Sequence, residues 1–174
     1  FMMVIVINCQ IKRILKAEEK TMSEIERLVN QFRDAIDMAR DSGDFDKDIS
    51  FYKFPRGCCG DASDLLAQFL LENGIRTYYV CGMYSFGPRE NAQSHAWLLT
   101  DNHTIIDITG DQFKCNPVFL NYNNPVYVGA EDDFHRLFEV EDRDVHENKG
   151  LKNLGSMCQP RLFELYRKII KYIH

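Results

Sequence analysis

The chain has 174 residues, 45% of them apolar and 27% charged, the composition of one folded domain with a core of its own. Its net charge of −5 argues against a basic nucleic-acid footprint. The opening apolar run, Met2 to Ile7, is too short to span a membrane, and no small-residue cleavage site follows it, so neither a transmembrane helix nor a signal peptide is expected.

In chain order, residues 1–21 read as an N-terminal extension, with Met22 a second plausible natural start. Residues 21–45 predict an amphipathic helix, because Ile25, Leu28, Val29, Phe32, Ile36 and Ala39 recur at helical spacing. Ser23 and Glu26 have the form of a capping box at its start, and Gly43 marks its end. Residues 44–57 carry Pro55 and Gly57 and read as loop. A second helix is predicted over 59–73, with Leu65, Leu66, Phe69 and Leu70 as its apolar stripe and Gly74 as its stop.

The pattern then changes to β. Residues 76–84, 94–100 and 103–109 predict strands, the last two joined as a hairpin through Asp101 and Asn102. Residues 125–130 and 135–141 are further strand candidates, 141–150 a charged loop, and 160–174 a closing amphipathic helix with Pro160 in its first turn. Helices followed by antiparallel strands and a last helix make an α+β fold in a single domain over 1–174.

Six cysteines (9, 58, 59, 81, 115 and 158) include no CxxC pair, and a chain of this size needs no disulfide staples, so a reducing, cytoplasmic compartment is expected. Two of them, Cys58 and Cys59, stand side by side where the 54–57 loop meets the second helix. A thiol at a helix N-terminus is in the positive field of the helix dipole, which lowers its pKa. His95, in "SHAWLL", and Asp107, in "TIIDIT", fall roughly opposite each other across the predicted hairpin. A carboxylate on one imidazole nitrogen leaves the other free for a thiol. Successive helical residues point about 100° apart, so only one of the two cysteines can face His95. Trp97, two residues along the strand, either shields that pair or packs in the core. Tyr84, Phe86 and Arg89 are candidates for the rim of a cleft. His103, His135 and His146 show no ligand spacing and read as surface or structural.

"GCCGDAS", "SHAW" and "IIDIT" resemble, in order, the "GxCxDxA", "HAW" and "IDPT" motifs of the transglutaminase-like superfamily, part of the papain-like fold group. "GIRTYYVCGMY" is similar to the strand such proteins place between the first two motifs, and the resemblance covers residues 54–113. It implies a nucleophile at the N-terminus of a helix packed on an antiparallel sheet. Carried over, Cys59 is the nucleophile, His95 the general base and acid, and Asp107 the orienting group, while Cys58 falls at the variable position. Ile108 replaces the proline of "IDPT", and the continuation "TGDQF" is similar to papain-fold bacterial effector and toxin domains that deamidate or cleave host proteins. Papain-like peptidases place an oxyanion Gln six residues before the cysteine. Lys53 holds that position here, so Gln93 and Gln112 are the side-chain oxyanion candidates, beside the backbone at Gly60.

These features imply a cysteine-nucleophile enzyme acting on peptide or glutamine amides through an acyl-enzyme, with hydrolysis favoured over transfer to an amine. The alternatives are a catalytically inactive binding module on the same fold and a metal site built from Cys58 or Cys59 with His95 and Asp107. Adjacent cysteines chelate one ion poorly, so no metal is expected, and no cofactor. The expected partner is a protein or peptide substrate, with no nucleic acid and no membrane, and the toxin-like likeness adds delivery to another cell.

Overall fold

The computed structural model describes residues 2–174, with side chains from residue 11 onward. Three helices, α1 (Met2–Asp41), α2 (Cys59–Glu72) and α3 (Gln159–Ile170), pack together against one five-stranded antiparallel sheet. The strands are β1 (Tyr78–Tyr84), β2 (Gln93–Leu99), β3 (Ile105–Asp107), β4 (Tyr127–Gly129) and β5 (Val145–Glu147), in the order β4-β3-β2-β1-β5. The architecture is α+β, as the element order predicts. No helix among the described residues is long and apolar enough to cross a membrane.

Both long helices that precede the sheet end on glycine in the left-handed region. After α1, Gly43 has φ +78°; its N–H donates to Arg40 O, and Asp44 N–H donates to Ala39 O. After α2, Gly74 has φ +78° and the same pair of bonds reaches Leu71 O and Leu70 O. This double closure satisfies carbonyls that the helix leaves open, and a side chain at either glycine would be strained.

Four expectations need correction. The first helix does not start near Thr21: α1 is continuous from Met2, so Ser23 is an interior residue and no capping box forms. Nothing between Met2 and Met22 breaks a helix, and the Thr21 hydroxyl donates back to Ala17 O at 2.9 Å instead of capping a new start. Residues 135–141 are not a strand. Asp132 Oδ1 accepts the His135 N–H at 2.9 Å and opens a short 3-10 turn, His135–Leu137, and only Glu139 then bridges to Met83. The charged segment 141–150 is not all loop, because β5 lies within it and pairs the outer edge of β1.

The hairpin turn is also one residue longer than predicted. Leu98 pairs with Ile106 and Leu99 with Ile105, so the loop centres on Asn102, and His103 takes the left-handed conformation at φ +59°. His95 and Asp107 are therefore diagonal neighbours on one face and not directly opposite.

Alternation along the strands divides the buried residues between the two faces of the sheet. Leu98, Ile106 and Val128 meet the helices, where Phe32 of α1 stacks on Phe69 of α2 at 5.1 Å. Val80, Trp97, Ile105 and Tyr127 meet a second cluster, formed by Phe113, Phe119, Phe134 and Phe138 from the loops. His95 and Asp107 belong to this second face.

Candidate active site

Cys59 opens α2, and Cys58 is its N-cap residue. Gly57, at φ +70°, turns the chain into the helix. The two sulfurs end in different surroundings. Cys58 is buried in the helical core, and burial together with the neighbouring Cys59 pushes its pKa up. Cys59 is only half-buried. Desolvation opposes its ionisation, but the His95 imidazole and the Ala96 backbone N–H favour the thiolate more strongly, and its pKa is lowered. The Ala96 amide is available because β3 pairs only Leu98 and Leu99 of β2.

The helix tip is pinned from outside. Asp61, in the first turn, accepts from Arg161 of α3 at 2.7 Å and from Ser50 at 3.1 Å. Arg161 also reaches Asp48 at 2.9 Å. Despite partial burial, the Arg161 hydrogen bond and the N–H groups of Phe51 and Ser50 hold Asp48 down to about 2. With Asp61 paired, its charge opposes a thiolate at the tip less than an unpaired carboxylate would.

His95 has no exposed surface. Its Nε2 lies 2.9 Å from Asp107 Oδ2. Nδ1 is thereby the nitrogen left for the Cys59 thiol. Burial pulls the ring toward its neutral form, but the charge of Asp107 overrides it and raises the pKa to about 9. Asp107 feels the converse: burial pushes it up, and the charge of His95 holds it well below the ordinary carboxylate range. Its second oxygen, Oδ1, accepts the Thr109 N–H at 2.8 Å and lies 3.2 Å from the Thr109 hydroxyl. Phe113, Phe138, Phe134 and Trp97 wall the imidazole, with ring centres 5.1 to 5.7 Å from it. A wall of this kind excludes water and strengthens every charge interaction inside it.

Gly82 pairs with His95 across β1 and β2, and a Cβ there would sit 2.6 Å from Phe138 Cβ and 3.0 Å from the Trp97 ring. Only glycine lets the aromatic wall close over His95 at this position.

The remaining candidates separate. Gln112 is at the site: its Nε2 lies 3.3 Å from His95 Nδ1 and donates to Thr109 O at 3.0 Å, and its Oε1 accepts from Gly57 N–H at 3.5 Å. It joins the loop after Asp107 to the loop before Cys59. Gly60 lies in the first turn of α2, where backbone N–H groups have no intrahelical acceptor. Trp97 is buried in the aromatic wall. Gln93 is exposed at the start of β2 and makes no described hydrogen bond to these residues.

Sequence reasoning misses two participants. His135, read as surface or structural, is buried, and its Nε2 lies 3.4 Å from Asp107 Oδ2. No spacing marks it, because the 3-10 turn that carries it is set by Asp132. Arg33, on α1, reads as one more charge on a solvated helix face. It is buried instead, donating to Ile108 O at 2.7 Å, Pro125 O at 2.9 Å and Asp111 at 2.9 Å, with its guanidinium 4.7 Å from the centre of the Phe54 ring. One cation thus ties the segment after Asp107 to the loop before Cys59.

Among the described residues, His95, Asp107 and His135 form the group that could hold a metal ion, with ligand atoms within 4.8 Å of one another. Three protein ligands and an open position suit a catalytic zinc. Such an ion would replace the 2.9 Å His95–Asp107 hydrogen bond, and neither Cys58 nor Cys59 belongs to the group. Comparison with the models of known families, with curated proteins and with solved structures finds no match to this chain.

Proposed function

We propose that the chain is a thiol enzyme acting on peptide or glutamine amides, with Cys59 as nucleophile, His95 as general base and acid and Asp107 as the orienting carboxylate. The observation that carries this reading is the placement of the three side chains: Cys59 opens α2 beside His95, whose Nε2 lies 2.9 Å from Asp107 Oδ2. Against burial, the His95 ring lowers the Cys59 thiol and the Asp107 charge raises the ring, both of which favour a thiolate beside an imidazolium. The resemblance of the same three segments to the transglutaminase-like motifs supports it.

In this reading the Cys59 thiolate attacks the amide carbonyl carbon. The oxyanion that forms is met by N–H groups of the first turn of α2, with Gln112 the side-chain donor of the two glutamine candidates that lies at the site. His95 gives its Nδ1 proton to the leaving amine as the carbon–nitrogen bond breaks, and a thioester to Cys59 remains. The ring then takes a proton from water, whose oxygen attacks the thioester and releases the acid and the thiol. An amine in place of water gives transfer; hydrolysis is the favoured outcome.

Iodoacetamide labelling with site mapping tests the pair. Near neutral pH, Cys59 is expected to react faster than Cys81, whose pKa burial raises, and His95→Ala is expected to remove the advantage. Equal rates in the wild type, or an advantage that survives His95→Ala, would sink the reading. Glutamine peptides scored for ammonia release, chain cleavage and amine incorporation then distinguish the three reactions.

A further inference from the structure

One stripe runs the length of α1. Ile25, Leu28, Phe32, Ala35 and Ala39 recur at intervals of three and four and are buried in the helical core. The same spacing continues toward the N-terminus through Thr21, Glu18, Ile14 and Ile11, and in the sequence through Ile7 and Val4. There the covering ends: residues 11–21 are all exposed, Ile11, Ile14 and Leu15 by 47 to 58%. Where this overhang leaves the body lies a groove of about 610 Å³. Ile14, Ala17 and Met22 line it from α1, and Ile75, Thr100 and Thr104 line it from the body.

The charges avoid the stripe. With Ile11 and Ile14 at the a and d positions of a heptad, the flanking e and g positions are Asn8, Gln10, Leu15 and Ala17, all uncharged. Lys12, Arg13 and Lys16 fall at b, c and f, which point away from the stripe. An apolar seam with neutral flanks and a cationic outer face is the pattern of a helix that packs on another helix.

The body limits what can reach the stripe, because it stands on the same side of α1 from Ile25 onward. A flat surface laid along the stripe would collide with it, whereas a second helix fits beside the overhang. We propose that the overhang is covered by the overhang of a second copy of this chain, the two α1 helices running antiparallel with Ile11 of each against Ile14 of the other. A parallel pair would bring both bodies into the same space and set the two copies of Glu18 against each other. In the antiparallel register Thr21 of one helix lies opposite Val4 of the other, so each helix start reaches its partner's groove. The overhang, Met2 to Thr21, is about 30 Å long at 1.5 Å per residue. A third of the girth of such a helix is on the order of 400 Å². With the two grooves filled, the pair buries about 1,000 Å², the lower limit of a specific interface, so the dimer is a weak one. The inference is independent of the chemistry at Cys59.

Sedimentation equilibrium of the full chain tests it. The mass is expected to rise from 20.3 kDa toward twice that value between about 1 and 100 μM. Ile14→Asp puts a charge into the middle of the seam, at a site the monomer leaves exposed, and is expected to weaken association about tenfold or more. Lys16→Gln, on the outward face, is expected to leave it within about twofold. Thermal melts establish that each variant is folded. Thr21→Cys reads the direction: antiparallel helices hold the two added thiols about 25 Å apart, so mild oxidation is expected to add no crosslink to that of the wild type. A wild type that stays monomeric at 100 μM overturns the inference. So does association that Ile14→Asp leaves unchanged, or a dimer that Thr21→Cys crosslinks. A monomer that binds phosphatidylserine vesicles and loses them with Ile14→Asp overturns it in favour of a lipid surface.

Discussion

The two faces of the sheet carry different kinds of interior. Toward the helices the core is mainly aliphatic and phenylalanine, and the shapes that meet there are those of three packed helices. Toward the loops the core is aromatic and encloses His95, Asp107 and His135, polar groups that no apolar contact can satisfy. The first face stabilises the fold without regard to chemistry. The second is useful only if every donor finds its acceptor, so its geometry is far more exacting. The adjacent cysteines lie on the boundary: Cys58 belongs to the helical side, and the sulfur of Cys59 acts on the ring of the other.

The division can be broken most severely at Asp107. Asp107→Asn keeps the shape but removes the charge that holds His95 protonated. Under the proposed function, turnover of an amide substrate is expected to fall about a hundred- to ten-thousandfold, as when the orienting carboxylate of a triad is made neutral. In a pH profile of Cys59 alkylation by iodoacetamide, the upper inflection, where His95 gives up its proton, should move down from about 9 toward the ordinary imidazole value. Because Asp107 is depressed in the fold, its stabilisation is complete above the ordinary carboxylate pKa of about 3.9 and is lost on acidification below it. The stability gap between wild type and variant should therefore narrow as pH falls below about 4.

Phe32→Ala attacks the other side. Phe32 is fully buried against Phe69 and Tyr166, and its loss should cost about 3 to 5 kcal/mol in urea unfolding. The molecules that remain folded should keep the Cys59 alkylation profile of the wild type. A profile that changed would mean that the helical packing, and not the polar network alone, sets the thiol. The smallest effect is expected at the boundary. Cys58→Ala should cost roughly 1 kcal/mol of packing and leave the Cys59 alkylation rate within about twofold. A large loss of reactivity in that variant would end the asymmetry between the two cysteines.

The legibility of the sequence follows the same division. The amphipathic stripe of α1, the glycine stops at Gly43 and Gly74 and the period-two strands are local signals, and they correctly indicate helices and antiparallel strands. Cys59, His95 and Asp107 could be singled out because each is polar in an apolar run. Their mutual placement was legible to within one diagonal of a hairpin, since a single added turn residue shifts the register by that amount. His135 and Arg33 were not legible. Each becomes part of the site only through tertiary contacts: the turn set by Asp132 carries His135 to Asp107, and the docking of α1 buries Arg33 against Ile108 O and Asp111. The start of α1 was misread for a different reason. A capping-box pattern competes with helix continuation, and continuation prevails where no glycine or proline interrupts it.

The clamp of Arg161 on Asp61 has a consequence in time. The two residues are 100 positions apart, yet the salt bridge between them fixes the helix turn that presents Cys59. As the chain is synthesised, Asp61 emerges 100 residues before Arg161, so the first turn of α2 lacks this tie until α3 docks. Docking of the last helix is thus the step that completes the tie on the turn carrying Cys59, so the two ends of the domain are joined last at this point.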